Sequence, residues 1–258
     1  MITSTSNPQV KWLLQLQKKS KVRNEEGVFI VEGIRMFQEL PKERVEKVYL
    51  SESFFLKKKG EWEPGHPTPE ILSDHVFDYV SDTKTPQGIL CVVRRKGYTI
   101  EDLQREKEPF LLVLDQIQDP GNLGTILRTA EGAGVNGIVM SSDCADIYNP
   151  KTIRSTMGSI YRMPVVVTSD LCTAIGTLKK SGVRIYAAHL EGKHTYDQED
   201  YRRGCGFLIG NEGNGLREEI AAQADEWVRI PMHGQVESLN VAIASSVLMF
   251  EVCRQRRS

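Results

Sequence analysis

Gly210-Asn-Glu-Gly-Asn-Gly-Leu216, read with Val228-Arg-Ile-Pro-Met232 and Glu237-Ser-Leu-Asn-Val241, decides how this chain is interpreted. Glycines at 210, 213 and 215 predict a tight turn that opens a helix. The run from Val228 to Met232 predicts a short apolar strand that ends at a proline. Ser238-Leu-Asn-Val then leads into a nearly all-apolar helix over Ala242–Cys253. A glycine turn, a strand edge and a helix start in one block leave many backbone N–H groups free to meet one small ligand. The polar side chains of Glu212, Ser238 and Asn240 are set among them.

A second signal lies upstream. Asp119-Pro-Gly-Asn-Leu-Gly-Thr-Ile-Leu-Arg-Thr-Ala-Glu-Gly-Ala-Gly134 follows the strand-like Phe110-Leu-Leu-Val-Leu-Asp115. Leu123, Ile126, Leu127 and Ala130 recur at helical spacing, so that face packs on a sheet. Asn122, Thr125 and Arg128 are left to point elsewhere. Asn122 and Arg128 lie just under two turns apart and can serve one site near the helix start. Further strands are expected near 110–115, 137–141, 164–168, 184–189 and 206–210, alternating with helices. That pattern predicts an α/β domain with a mainly parallel sheet covered on both faces.

The first hundred residues read as a smaller α/β unit. Helices are expected over 7–19, over 33–40, from 53 onward and over 73–79, with strands over 28–32, 45–50 and 88–93 and a proline-rich loop over 61–69. The expected division is residues 1–96, a linker over 97–109, and a second domain over 110–258. With 258 residues there is ample length for two cores. The net charge of −1 does not announce a nucleic-acid partner. Its distribution does more: Lys11, Lys18, Lys19, Lys21 and Arg23 precede any acid, and Arg254, Arg256 and Arg257 end the chain. Basic arms of this kind suit phosphate contacts, and they equally suit solvated helix faces. The cysteines at 91, 144, 172, 205 and 253 form no CxxC pair and no histidine cluster accompanies them, which argues against zinc or a disulfide framework. No metal is expected. Neither a signal-peptide core nor a membrane-length apolar run is present, and a cytoplasmic protein is expected, or an organellar one lacking its transit peptide.

At these motifs the chain resembles the SpoU–TrmH family of SPOUT-class RNA ribose methyltransferases, over roughly residues 108–254. Three motifs occur in order: NLGTILRTAEGAGV from Asn122, KTIRSTMGSIYRMPV from Lys151, and GNEGNGL…IPMHGQVESLNVAIA from Gly210. The resemblance implies a deep trefoil knot, a feature that periodicity never predicts. It implies that S-adenosylmethionine is bound, with Gly210, Ile230, Leu239, Met232 and Asn240 as the matching positions. It also implies catalytic roles for Arg128, Asn122, Ser238, Asn240 and Glu212. Arg128 matches an arginine proposed as base or as phosphate clamp; its pKa above about 12 favours the clamp. Each residue has a structural use as well. Ile230 and Leu239 suit ordinary core, Arg128 suits a pair with Glu131, Ser238 and Asn240 suit helix capping, and Glu212 suits a helix N-terminus. In the second motif Arg154, Ser155 and Gly158 agree with the family, whereas Thr156 and Met157 stand where small residues are common.

Ile2-Thr-Ser-Thr-Ser-Asn-Pro-Gln-Val, Gly27-Val-Phe-Ile-Val-Glu-Gly and Thr83-Lys-Thr-Pro-Gln-Gly-Ile89 resemble the ribosomal-protein-like RNA-binding domain that precedes many such enzymes. The implied function is 2′-O-methylation of structured RNA, with ribosomal RNA favoured over transfer RNA, by a homodimer joined through the knotted domain. A transfer RNA methyltransferase and a non-catalytic RNA-binding factor are the alternatives. A nucleotide-binding oxidoreductase is disfavoured because GxGxxG does not follow the first strand.

Overall fold

A computed structural model describes residues 1–58 and 65–257. The N-terminal elements are α1 (Pro8–Lys18), α2 (Ser20–Glu26), β1 (Val28–Glu32), α3 (Ile34–Gln38), β2 (Val45–Ser51), α4 (Glu52–Lys57), β3 (Glu70–Leu72), α5 (Asp74–Val80) and β4 (Ile89–Arg94). They are followed by β5 (Phe110–Leu114), α6 (Pro120–Gly132), β6 (Gly137–Ser141), α7 (Pro150–Thr156), β7 (Val165–Thr168), α8 (Leu171–Lys180) and β8 (Arg184–Ala188). The last are β9 (His194–Thr195), β10 (Cys205–Ile209), α9 (Glu218–Ala221), β11 (Glu226–Arg229) and α10 (Val241–Arg256). The loop expected over 61–69 falls partly outside the described residues. Contacts divide the chain into two compact units, Met1–Lys96 with Asp146–Tyr161, and Gly97–Ala145 with Arg162–Ser258.

The first unit is built on a four-stranded sheet in the order β1-β4-β2-β3. Val10, Leu13 and Leu16 of α1 recur at helical spacing and close over Val28, Ile30, Tyr49, Leu90 and Val92. Asp146–Tyr161 groups with this unit, although in sequence residues 110–258 read as one domain. The physical reason is a set of contacts that the linear charge pattern conceals. Arg23 is only 3% exposed. It pairs with Asp146 at 2.5 Å and donates to the carbonyls of Leu16 and Gln17. Tyr148 stacks on Phe29 with ring centroids 4.8 Å apart. Gly158, at φ +92°, lies where a Cβ would meet a Glu39 carboxylate oxygen at 2.1 Å. The unusual Thr156 is buried and donates to the Ile153 carbonyl, while Met157 takes a left-handed conformation at φ 48°. Arg23 is therefore a structural residue rather than part of a basic arm.

The second unit carries a seven-stranded sheet in the order β7-β6-β5-β10-β8-β11-β9, with the adjacent strands paired parallel. β5 and β10 lie at its centre, and all their residues are buried. Pro120 and the Asp119 cap start α6, the Asp119 carboxylate accepting from the Asn122 N–H at 2.8 Å. Leu123, Ile126, Leu127 and Ala130 are fully buried as their spacing predicts. At roughly 1.5–3 kcal/mol for each large side chain, this face holds α6 in place. α10 packs against α6 and β10. The terminal arginines are also structural. Arg256 donates to the carbonyls of Tyr201, Glu108 and Arg203, and Arg254 pairs with Glu251 at 2.7 Å. No helix among the described residues is long and apolar enough to cross a membrane.

Candidate active site

Two helix starts and one turn converge in the second unit. The glycine turn leaves the carboxyl end of β10, where open parallel sheets characteristically bind ligands. It is closed by reciprocal backbone bonds between Asn211 and Gly215 at 2.9 and 3.0 Å. Gly215 needs its glycine because φ is +71°. Gly210 needs its own for a different reason. A Cβ there would lie 2.2 Å from the Leu216 nitrogen and 2.3 Å from the Gly215 carbonyl carbon. The turn is thus folded back on the strand end.

This turn walls a cavity of about 390 Å³, within the size range of small-molecule sites. Of the residues expected to hold a cofactor, Gly210, Ile230, Met232 and Leu239 line it, and so do Glu212 and Ser238. Val241, Ala244 and Leu248 extend the apolar wall from α10. His189, Leu190 and Glu191 also line it and were not anticipated, because no motif marks them. Their position directly after β8, at the carboxyl end of a parallel strand, was the available signal. His189 stacks on Trp227 with centroids 4.2 Å apart, and its Nδ1 accepts from the Glu191 N–H.

Asn122 and Asn240 belong instead to a hydrogen-bonded chain. The Glu212 carboxylate accepts from the backbone N–H groups of Gln118 and Asp119, each at 3.0 Å, and from Asn122 Nδ2 at 3.2 Å. Asn122 Oδ1 accepts from Asn240 Nδ2 at 3.0 Å. Asn240 Oδ1 caps α10, accepting from the N–H groups of Ala242 and Ile243. Because the cap engages the Asn240 oxygen, its amide must donate toward Asn122, whose own amide must then face Glu212. Both amides are therefore oriented by fixed partners. Partial burial pushes the Glu212 carboxyl upward, but these N–H donors outweigh it and hold the group below the usual carboxylate range. Ser238, considered in sequence as a second cap, is exposed and faces the cavity.

Arg128 stands on the exposed side of α6 with no ion-pair partner among the described residues. Glu131, the partner that helical spacing suggests, pairs with Arg162 at 2.8 Å. The guanidinium fork is consequently available to an external anion. Among the described residues, the group that offers metal-ligating atoms is His194, Glu199 and Glu226, within 4.8 Å of one another. Arg184 pairs with both glutamates at 3.9 and 3.0 Å, so that group already has its counter-charge.

The hydrogen-bonded chain yields a separable test. Asn240→Asp keeps an oxygen to cap α10 but has no amide hydrogen for Asn122. Its melting temperature is expected to stay near wild type while turnover falls about tenfold, the worth of one hydrogen bond. Asn240→Ala should lose turnover and also about 1 kcal/mol of stability. Thermal melts beside initial-rate assays check both; unchanged turnover in Asn240→Asp would reduce Asn240 to a cap.

The SpoU rRNA methylase family model matches residues 109–250, and the MRM3-like substrate-binding domain model matches residues 7–91. A Bacillus subtilis protein, 23S rRNA (guanosine(2553)-2′-O)-methyltransferase RlmP, is 32% identical over 253 residues, covering 97% of this chain and 98% of that protein. An AdoMet-bound rRNA methyltransferase from Sinorhizobium meliloti has a similar structure, with a TM-score of 0.85 at 30% identity over 98% of this chain and 97% of that one. AviRb from Streptomyces viridochromogenes, 23% identical over 97% of this chain and 98% of its own, shares the fold with a TM-score of 0.85.

Proposed function

The chain belongs to the SpoU rRNA methylase family, and from that premise we propose that it methylates a ribose 2′-hydroxyl of ribosomal RNA. The cofactor is S-adenosylmethionine. The cavity suits it in size and in its apolar walls, and glycine at 210 lets the turn that walls it fold back on the strand end. Gly210, Ile230, Met232 and Leu239 would hold it. When bound, it supplies a methyl group activated by the sulfonium charge.

The remaining work falls to side chains. Arg128 clamps the phosphate beside the target ribose and stabilises the negative charge that develops as the hydroxyl loses its proton. Asn122 and Asn240, held by Glu212 and by the α10 cap, present oriented amides at the ribose. Ser238 faces the cavity from the loop before α10. Alignment of hydroxyl and methyl donor contributes several kcal/mol of the barrier, as oriented intramolecular reactions do. The observation that carries this reading is the chain Glu212–Asn122–Asn240, which ties the start of α6 to the start of α10 beside the glycine turn.

Ribosomal RNA is preferred as substrate because a relative matched over 98% of its length is named a 23S rRNA enzyme. We assign residues 1–96 to RNA binding on their substrate-binding-domain match, and place the protein with its RNA in the cytoplasm. Labelled S-adenosylmethionine offered with unmodified ribosomal or transfer RNA tests the choice. Label in ribosomal RNA alone is expected; label in transfer RNA alone would install the transfer RNA alternative. Binding of RNA with no transfer to either would favour the non-catalytic factor.

We also propose that the protein is a homodimer through the second unit. Ile243 and Phe250, seven residues apart on the same side of α10, are large apolar side chains each 51% exposed. Sedimentation is expected to give a dimer, and Phe250→Asp to shift it to monomer. A monomeric wild type would reject the dimer.

A further inference from the structure

The glycine turn is anchored to the two residues that follow β5. Asn211 Nδ2 donates to the Gln116 carbonyl at 2.8 Å, while its Oδ1 accepts from the N–H groups of Gly213 and Asn214. Gln116 takes a left-handed conformation at φ 56°, which turns that carbonyl toward the loop. At the other end of the turn, Arg217 Nη2 donates to Asp115 Oδ1 at 2.6 Å and Nε donates to Oδ2 at 3.1 Å, while the Arg217 N–H also donates to Oδ2 at 3.2 Å. Asp115 is 1% exposed, and its own N–H donates to the Ile209 carbonyl on β10. Adjacent residues 115 and 116 therefore grip the turn at 217 and 211.

Arg217 does not line the cavity, and it is not part of the Glu212–Asn122–Asn240 chain. Asp115 is buried while the Arg217 side chain is 34% exposed, and burying a carboxylate is an expensive way to stabilise a fold even when a cation meets it. What a fork on a fixed carboxylate adds is geometry, two parallel bonds that set distance and orientation together. We propose that Arg217 and Asp115 are positioning residues for the methyl donor. They fix the height of the glycine turn above the sheet edge, and with it the backbone groups that meet the donor. This rests on the assignment of the cavity to S-adenosylmethionine.

The test is calorimetric titration of S-adenosylmethionine and of its demethylated product, beside steady-state kinetics, thermal melts and RNA binding. Arg217→Met should weaken both ligands at least tenfold and raise KM for the donor equally. At saturating donor, kcat and RNA affinity should stay within twofold of wild type. Arg217→Lys keeps the charge without the fork and should recover stability but not donor affinity. Because Arg217→Met strands a buried carboxylate, Asp115→Asn/Arg217→Met is the companion; it should fold and still bind donor about tenfold more weakly. Wild-type affinity in the double variant would overturn the proposal, as would equal losses in donor affinity, kcat and RNA binding. A wild-type protein that binds no donor would reject the cavity assignment, and this proposal with it; a donor-binding wild type matched by its variants rejects the positioning role alone.

Discussion

Gly210→Ala is expected to weaken S-adenosylmethionine binding about a hundredfold while leaving the protein folded. The added Cβ would meet backbone rather than side chain, with the Leu216 nitrogen at 2.2 Å and the Gly215 carbonyl carbon and oxygen at 2.3 and 2.5 Å. Relief requires opening the turn, which breaks the paired bonds between Asn211 and Gly215. Overpacking of this kind costs about 1–3 kcal/mol, and each 1.4 kcal/mol is a factor of ten in affinity. The strain falls on the turn that walls the cavity, so binding should suffer more than global stability. Gly213→Ala is the control. Its Cβ would find only Asn211 Oδ1 at 3.6 Å, an ordinary contact, and affinity should stay within a few-fold of wild type. Calorimetry on the three proteins, with melts to confirm folding, decides the matter. Equal binding by Gly210→Ala would remove the turn from the donor site.

Arg128→Ala is expected to lower kcat by about two to three orders of magnitude, the usual loss when one electrostatic contact to developing charge is removed. Donor affinity should not change, because Arg128 is absent from the cavity lining. Stability should change little, since the side chain is exposed and forms no ion pair among the described residues. Arg128→Lys should recover only part of the rate, as a point charge cannot bind phosphate through two parallel bonds. Single-turnover rates at saturating donor and RNA read this directly. A variant with wild-type turnover would return Arg128 to the helix surface.

The α/β character was legible because the apolar runs at 110–114, 137–141 and 205–209 are strand-length and almost continuous, as buried parallel strands must be. The order of the strands was not. Nothing local to β10 says that it inserts between β5 and β8, because pairing is decided by how crossovers pack. β3 and β9, of three and two residues, are too short to carry a period. α2 was passed over because Ser20–Glu26 is mostly charged and polar.

Charge was the most misleading signal. Arg23 and Arg256 look from sequence like the ends of basic arms, yet Arg23 is spent on two carbonyls and the Asp146 carboxylate and Arg256 on three carbonyls, because a composition records charges without their partners. The candidate site was legible as motifs and illegible as contacts. The spacing of Asn122, Glu212 and Asn240 along the chain does not reveal that one carboxylate orients two amides in series. The helix N-terminus use considered for Glu212 is observed, since its carboxylate accepts from the N–H groups of Gln118 and Asp119 at the start of α6. Asp115 and Arg217 carried no motif at all and emerged only from their mutual geometry.

The most direct measurement is the location of the transferred methyl group. Ribosomal RNA labelled from S-adenosylmethionine would be hydrolysed in alkali and its products separated. A 2′-O-methyl blocks cleavage at its own nucleotide, so the label is predicted to appear in a single alkali-resistant dinucleotide, absent with Arg128→Ala. Label recovered in ordinary mononucleotides would place the methyl on a base and contradict ribose 2′-hydroxyl chemistry.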